Sequence, residues 1–279
     1  MKDESSATAR FVAEHIVLLG PRAHALLGIP PDQIEWTTRV LEASGWSRGP
    51  FASLRSSLIE RFSIPGIRTH YVLRKKIIER ETRAAIDEGF RQVVVIGAGF
   101  DVLALRLAAE FPLVAFVELD HAATQNAKRS AAEQYGSDIA FVAADLREEP
   151  VNVALKRTTF DADVQTVFIV EGVFMYLSEA QVSATLQSIR RAAKACRLIF
   201  TAMEGDRFPG STWLAESWLQ RRGEPFRWAI TPDSIDPFLT RLGFDVLRIY
   251  GAEEIRAELP PAASGRPVAP GEFIVIAEW

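Results

Sequence analysis

From residue 92 onward the hydrophobic positions alternate between two rhythms. Short, nearly continuous apolar runs give way to segments whose apolar residues recur three and four apart, and then to another run. The runs "QVVVIG", "LVAFVEL", "IAFVAAD", "VQTVFIVEG" and "CRLIFTAM" read as buried strands, and "FDVLRIY" and "EFIVIAEW" follow near the C-terminus. Between them, "DVLALRLAAEF" predicts a helix with its apolar face at Val102, Leu105 and Ala109. "HAATQNAKRSAAEQYG" predicts a helix closed by Gly136, and "SEAQVSATLQSIRRAAK" one capped by Ser178. A further helical stretch is expected near 211–222. Strand–helix alternation with apolar strands implies a parallel sheet covered on both faces. The last connection, "GAEEIRAELPPAASGRPVAPG", is rich in Pro and Gly, which suits an antiparallel final strand better than a helical crossover. The expected fold is therefore α/β and Rossmann-like, with seven strands, mostly parallel and the last antiparallel. Residues 1–90 carry helical spacing in "ATARFVAEHIVLLG" and "YVLRKKIIERETRAAIDEG" and are expected to form a helical cap. Residues 91–279 form the core, with an insertion near 203–232.

Composition adjusts this picture only slightly. The chain has 279 residues, 48% of them hydrophobic and 24% charged, which suits an ordinary globular body. A net charge of −4 argues against a broad nucleic-acid surface. The single cysteine, Cys196, lies in the apolar run "CRLIF" and reads as a buried thiol, so no intramolecular disulfide is expected. The four histidines show no metal-ligand spacing, so no metal is expected. The first ten residues, "MKDESSATAR", lack a signal-peptide core, and no apolar run is long enough to span a bilayer. A cytoplasmic protein with no membrane partner is expected; the oligomeric state stays open.

The candidate chemistry centres on "VVVIGAGFDVLALRL". A dinucleotide fingerprint needs a third glycine where Val102 stands, and a phosphate loop needs Gly-Lys-Ser/Thr. Neither is present, and Asp101 places a carboxylate at the helix start that an anion would want. The loop allows close backbone approach without welcoming pyrophosphate. A nucleoside without phosphates, or a ligand with a cationic group, fits better; S-adenosylmethionine is both. The next strand ends in "VELD", where an acid can accept from both ribose hydroxyls, and the third in "AADL", an acid and an apolar residue suited to adenine. All three features fall on the carboxyl edge of the sheet, where open α/β folds bind ligands.

Taken together, "YVLRKKIIERETRAAIDEGFRQVVVIGAGFDVLALRL", "VELD", "AADLR" and "EGVFMYL" resemble the leucine carboxyl methyltransferase family, over about residues 68–202. That family includes protein phosphatase methyltransferases and bacterial O-methyltransferases of polyketide and related pathways. The resemblance implies a class I methyltransferase fold using S-adenosyl-L-methionine and releasing S-adenosyl-L-homocysteine. It implies that Arg74 grips the cofactor's carboxylate and that Gly97, Ala98 and Gly99 line its methionine part. It further implies Asp120 as the ribose ligand with Glu118 nearby, Asp145 and Leu146 as adenine contacts, and Glu171 near the amino group. The chain departs from the family in several places. "RKK" stands where Arg-Thr is usual, which leaves Arg68, of "RT", as a rival clamp; Glu79 replaces an aspartate, "DVL" replaces Asp-Thr-Arg, and no N-terminal Asp-Pro is evident.

Methyl transfer from a sulfonium is a direct displacement. A carboxylate acceptor needs no base, a phenol modest help, an alcohol a real one. No His–Asp spacing predicts a base; His70, Tyr71, His121 and Tyr176 are the candidates near the site. Trp213, Trp218, Phe226 and Trp228 suit either an aromatic wall for a flat acceptor or packing of the insertion, and Arg221, Arg222 and Arg227 either an acceptor carboxylate or solvent. Three functions remain open: O-methylation of a carboxyl or hydroxyl on an apolar or aromatic small molecule, possibly of polyketide type; methylation of a protein's C-terminal carboxyl; or nucleoside binding without catalysis.

Overall fold

The computed structural model describes residues 7–47, 49–53, 56, 60, 64–135, 138–205 and 225–279. The seven strands are β1 (Gln92–Ile96), β2 (Ala115–Asp120), β3 (Ala140–Ala143), β4 (Thr166–Val170), β5 (Cys196–Met203), β6 (Asp245–Tyr250) and β7 (Glu272–Glu278). They form one sheet in the order β3-β2-β1-β4-β5-β7-β6. Pairings among β1 to β5 are parallel, and β7 runs antiparallel between β5 and β6. The chain therefore winds outward through β2 and β3, then returns past β1 to β4. The reversal leaves a crevice at the carboxyl ends of β1 and β4.

The strands show why the sheet is covered on both faces. Successive side chains point to opposite sides. Val94, Ile96, Phe168, Val170, Leu198 and Phe200 join one cluster, while Val93, Val95, Val167, Ile169 and Ile199 join another. The helices are α1 (Ala7–Val17), α2 (Pro21–Leu27), α3 (Pro31–Ala43), α4 (Ile67–Asp87), α5 (Leu103–Glu110), α6 (Ala122–Tyr135), α7 (Val151–Ala154), α8 (Glu179–Ala192), α9 (Pro232–Arg241) and α10 (Ala252–Ala257). Val151, Val182, Leu186, Ile189, Ile235 and Leu239 of α7, α8 and α9 pack into the first cluster; Leu73, Ile77, Ile78, Leu103, Leu107 and Ile255 of α4, α5 and α10 pack into the second. α8 begins with the expected cap: Ser178 Oγ accepts from Gln181 N, and Gln181 Oε1 accepts from Ser178 N.

The sequence of α4, "IRTHYVLRKKIIERETRAAID", thus lies directly on the sheet. α1 and α3 dock one layer further out: Ala13, Val17, Val40 and Leu41 pack on Phe100, Val102, Leu105, Ala131 and Ala132. This layering corrects the expected face of α5. Val102 and Leu105 are buried against α1 and α3, Leu103 and Leu107 face the sheet, and Ala109 is exposed. A helix sandwiched between two layers has two apolar stripes, which a single-face reading merges. The edge strands are also less buried than their apolar runs suggest; in β6 only Tyr250 is fully buried. The connection before β7 carries the short helix α10 in addition to turns. The helix expected near 211–222, with Trp213, Trp218, Arg221 and Arg222, and the closing Gly136 all lie outside the described residues.

Candidate functional site

The crevice is built from four strand ends and one helix. After β1, the loop turns through Gly97 (φ 67°) and Gly99 (φ 52°), both in the left-handed region that penalises side chains. Space demands glycine as well. A Cβ on Gly97 would lie 2.4 Å from a Val173 methyl, and one on Gly99 would lie 2.7 Å from Ala9 Cβ of α1. Ala98 between them is buried on the sheet side. Gly97 N donates to Leu119 O at 2.7 Å, which ties the loop to β2.

Asp120 closes β2 with its carboxylate turned to this loop. Oδ2 accepts from Gly99 N at 2.5 Å and Oδ1 from His121 N at 2.6 Å. Burial raises its pKa despite those two bonds. Glu118 lies two residues earlier on the same strand face and is fully buried, its Oε2 at 2.5 Å from Lys128 Nζ of α6. Burial pushes the Glu118 carboxyl up to about 7, against the pull of Lys128. Asp145, just after β3, is half-buried and engaged by Arg147, whose Nε and Nη2 donate at 2.9 and 2.6 Å and hold its pKa down. Leu146 packs partly against the main core.

On the other side of the glycine loop stands a cluster of charges. Arg74 projects from α4. Its Nε and Nη2 meet Glu171 Oε1 at 2.9 and 2.6 Å, and its Nη1 donates to both oxygens of Glu272 at 2.9 and 2.7 Å. Lys75 Nζ pairs with Asp101 and lies 3.1 Å from Glu171 Oε1. Burial opposes charge on both bases, yet their acidic partners outweigh it and raise both pKa values. Asp101 also accepts from Leu103 N at 2.6 Å, which sets a carboxylate at the start of α5. Lys75, Asp101 and Glu171 line a small cavity with Gln33 of α3.

The crevice therefore brings together Arg74, Gly97, Ala98, Gly99, Asp101, Asp120 and Glu171. Arg68 is turned elsewhere, to Glu60 and to Ser56 Oγ at 3.3 Å. His70 is buried with Nε2 at 2.8 Å from Glu272 Oε2. Tyr71 lies under the Arg74 guanidinium, 5.1 Å from its ring centre, with burial pushing its hydroxyl up to about 12. Tyr176 is half-buried beside Phe226, ring centres 5.7 Å apart, while Met175 is buried. Trp228 belongs to the core, packed on Phe174 and Phe238. Among the described residues no His, Cys, Asp and Glu group could hold a metal ion, and no helix is long and apolar enough to cross a membrane. Sequence reasoning gave no role to Lys75, Lys128 or Glu272. Glu272 carried a faint signal, an acid at the head of the apolar run "FIVIA"; Lys128 carried another, a cation among small residues on one helical face.

This donor set suits a particular ligand chemistry. Asp120 uses two of its roughly four lone-pair sites on the backbone, which leaves two for hydroxyl donors. Glu171 and Asp101 offer carboxylates to an ammonium, and Arg74 and Lys75 offer cations to a carboxylate. Asp101 at the head of α5 discourages phosphate. S-adenosylmethionine, an adenosine joined to a zwitterionic amino-acid end, fits these residues.

Comparison with known proteins points the same way. The leucine carboxyl methyltransferase family profile matches residues 31–190. A candidate S-adenosyl-L-methionine-dependent methyltransferase of Streptomyces avermitilis is 31% identical over 242 residues, covering 80% of each chain. A candidate leucine carboxyl methyltransferase 1 of Caenorhabditis briggsae is 27% identical over 50% of this chain and 51% of its own. The crystal structure of a candidate methyltransferase from Thermobifida fusca shares the fold, with a TM-score of 0.59 at 19% identity over 89% of this chain and 97% of the other.

Proposed function

The chain belongs to the leucine carboxyl methyltransferase family and uses S-adenosyl-L-methionine as methyl donor, and from that premise we propose that it methylates an oxygen of a small molecule, a carboxylate before a hydroxyl. Bound in the crevice, the sulfonium supplies a methyl group already activated for displacement. Arg74 and Lys75 would take its carboxylate, Glu171 its ammonium, Asp120 the ribose hydroxyls, and Asp145 with Leu146 the adenine. Glu118, paired with Lys128 beneath Asp120, would support that acid from below instead of touching the ligand.

The observation that carries the preference for a carboxylate is the state of His70 and Tyr71, the two candidate bases packed beside Arg74 and Glu272. His70 is committed to Glu272 in the interior. Tyr71 holds its proton up to about pH 12. A carboxylate acceptor, ionised at neutral pH, needs neither. Positioning of that oxygen in line with the methyl group would then supply most of the rate. Tyr176 of "EGVFMYL" and Phe226, whose rings lie side by side, suit an apolar or aromatic acceptor body.

A labelled-methyl assay on a whole-cell extract, separated afterwards into small-molecule and protein fractions, tests this. A methyl ester releases its label as volatile methanol in mild base, whereas a methyl ether keeps it. Base-labile label on a small molecule is expected. Base-stable label would move the reading to a hydroxyl, and label that stays with protein would move it to a protein carboxyl.

A further inference from the structure

Arg74 stands at the site already paired on both of its sides. The edge made by Nε and Nη2 is the one that grips a carboxylate with two parallel bonds, and in this structure a single oxygen, Glu171 Oε1, occupies it. The other side, Nη1, is held by both oxygens of Glu272. Glu272 is the first residue of β7, on a different element from Arg74 or Glu171, and is itself fixed by His70 Nε2. Glu171 has a second partner in Lys75, at 3.1 and 3.3 Å, so it is not bound to Arg74 alone. The guanidinium thus has an anchored side and an exchangeable side.

We propose that Glu272 is a positioning residue for the cofactor's amino-acid end: it pins Arg74 through Nη1, so that the Nε–Nη2 edge stays aimed into the crevice, where Glu171 stands in for the cofactor's carboxylate until the ligand arrives. On binding, the ligand's carboxylate takes the Nε–Nη2 edge and its ammonium takes Glu171. A zwitterion adds one charge of each sign, so the buried site keeps its balance throughout. The stand-in matters because an arginine this deeply buried and half-paired would be costly. With Glu272 gone, Arg74 keeps Glu171 as its one full anion and follows it, in competition with the ligand.

This rests on the placement of the cofactor's amino-acid end at Arg74 and Glu171. The test therefore uses two ligands: S-adenosylhomocysteine, and 5′-methylthioadenosine, which has the adenosine and sulfur but no amino-acid end. Calorimetry on the wild-type protein should show the first bound at least about tenfold more tightly, as charge-assisted bonds predict. Equal affinities would remove the placement itself. Glu272→Gln should weaken S-adenosylhomocysteine at least about tenfold and leave methylthioadenosine within about twofold. Glu272→Asp keeps the charge and folds on safer terms, but draws the carboxylate back by one methylene. It should show the same ligand-selective loss, at least about threefold. Undiminished S-adenosylhomocysteine affinity in Glu272→Asp, or equal losses for both ligands in either variant, would overturn the positioning role while leaving the cofactor site in place.

Discussion

Asp120→Asn isolates the central contact of the proposed cofactor site with almost no change of shape. The native carboxylate accepts from Gly99 N and His121 N, one bond to each oxygen. In the amide, one oxygen becomes an NH2 group, and one of those backbone donors then faces a donor. That conflict should cost folding about 1–3 kcal/mol, the usual range for a buried polar group left unpaired. Binding should suffer separately. Two ribose hydroxyls would meet the carboxylate's remaining lone pairs in bonds of about 1.5–3 kcal/mol each. Asparagine removes one and turns the other neutral, a loss of about 2–4 kcal/mol, or roughly a 30- to 1,000-fold rise in Kd. Calorimetry with S-adenosylhomocysteine measures it, on protein shown folded by its melting transition. The pH profile supplies a second check. Burial raises the Asp120 pKa, and the ligand needs the ionised form. Wild-type affinity should hold above that pKa and fall as pH drops through it, beginning above the ordinary aspartate range, whereas the Asn variant should lack this step. A folded Asn variant with Kd within about threefold of wild type, well short of the loss expected for a charged bond, would refute the ribose assignment.

Two further predictions concern the walls of the crevice. Gly97→Ala places a methyl 2.4 Å from Val173 Cγ2 at a φ of 67° and should lower the melting temperature; adding Val173→Ala, which removes both Val173 methyls and leaves Cβ at 3.6 Å, should relieve the clash but not the ~1–2 kcal/mol of left-handed strain. No recovery in the double variant would mean that the contact with Val173 is not what demands glycine. Burial pushes the Glu272 carboxyl up, but Arg74 and His70 prevail and hold it at about 2, below its ordinary 4.5. A depressed folded pKa stabilises above the unfolded value and is lost as pH falls through the folded one, so this group should contribute on the order of a few kcal/mol above pH 5, most of which is gone as pH approaches 2. Denaturant titrations between pH 3 and 6 should show a shallower acid slope for Glu272→Gln than for wild type; parallel slopes would refute the assignment.

Much of this architecture is legible in the chain because it depends on short-range pattern. Apolar runs of strand length, separated by helical spacing, specify a doubly covered parallel sheet, and the Pro- and Gly-rich connection before "EFIVIAEW" marks the antiparallel exception. The Gly97–Gly99 loop, the acid ending β2 and the acids just after β3 and β4 are visible for the same reason: the residues at and just past a strand's end lie at the sheet's edge. What the sequence left undecided concerns partners far apart along the chain. Arg74 and Glu272 are separated by 198 positions, and only the insertion of β7 between β5 and β6 places that acid against α4. Lys128 meets Glu118 because α6 lies along β3 and the end of β2, where Gln125 also donates to Glu118 O and Val142 O, and Arg68 turns to Glu60. Periodicity determines which face of an element is buried. Which charge answers which inside the molecule is set by long-range packing, since a buried ion must find a counter-charge wherever the fold provides one.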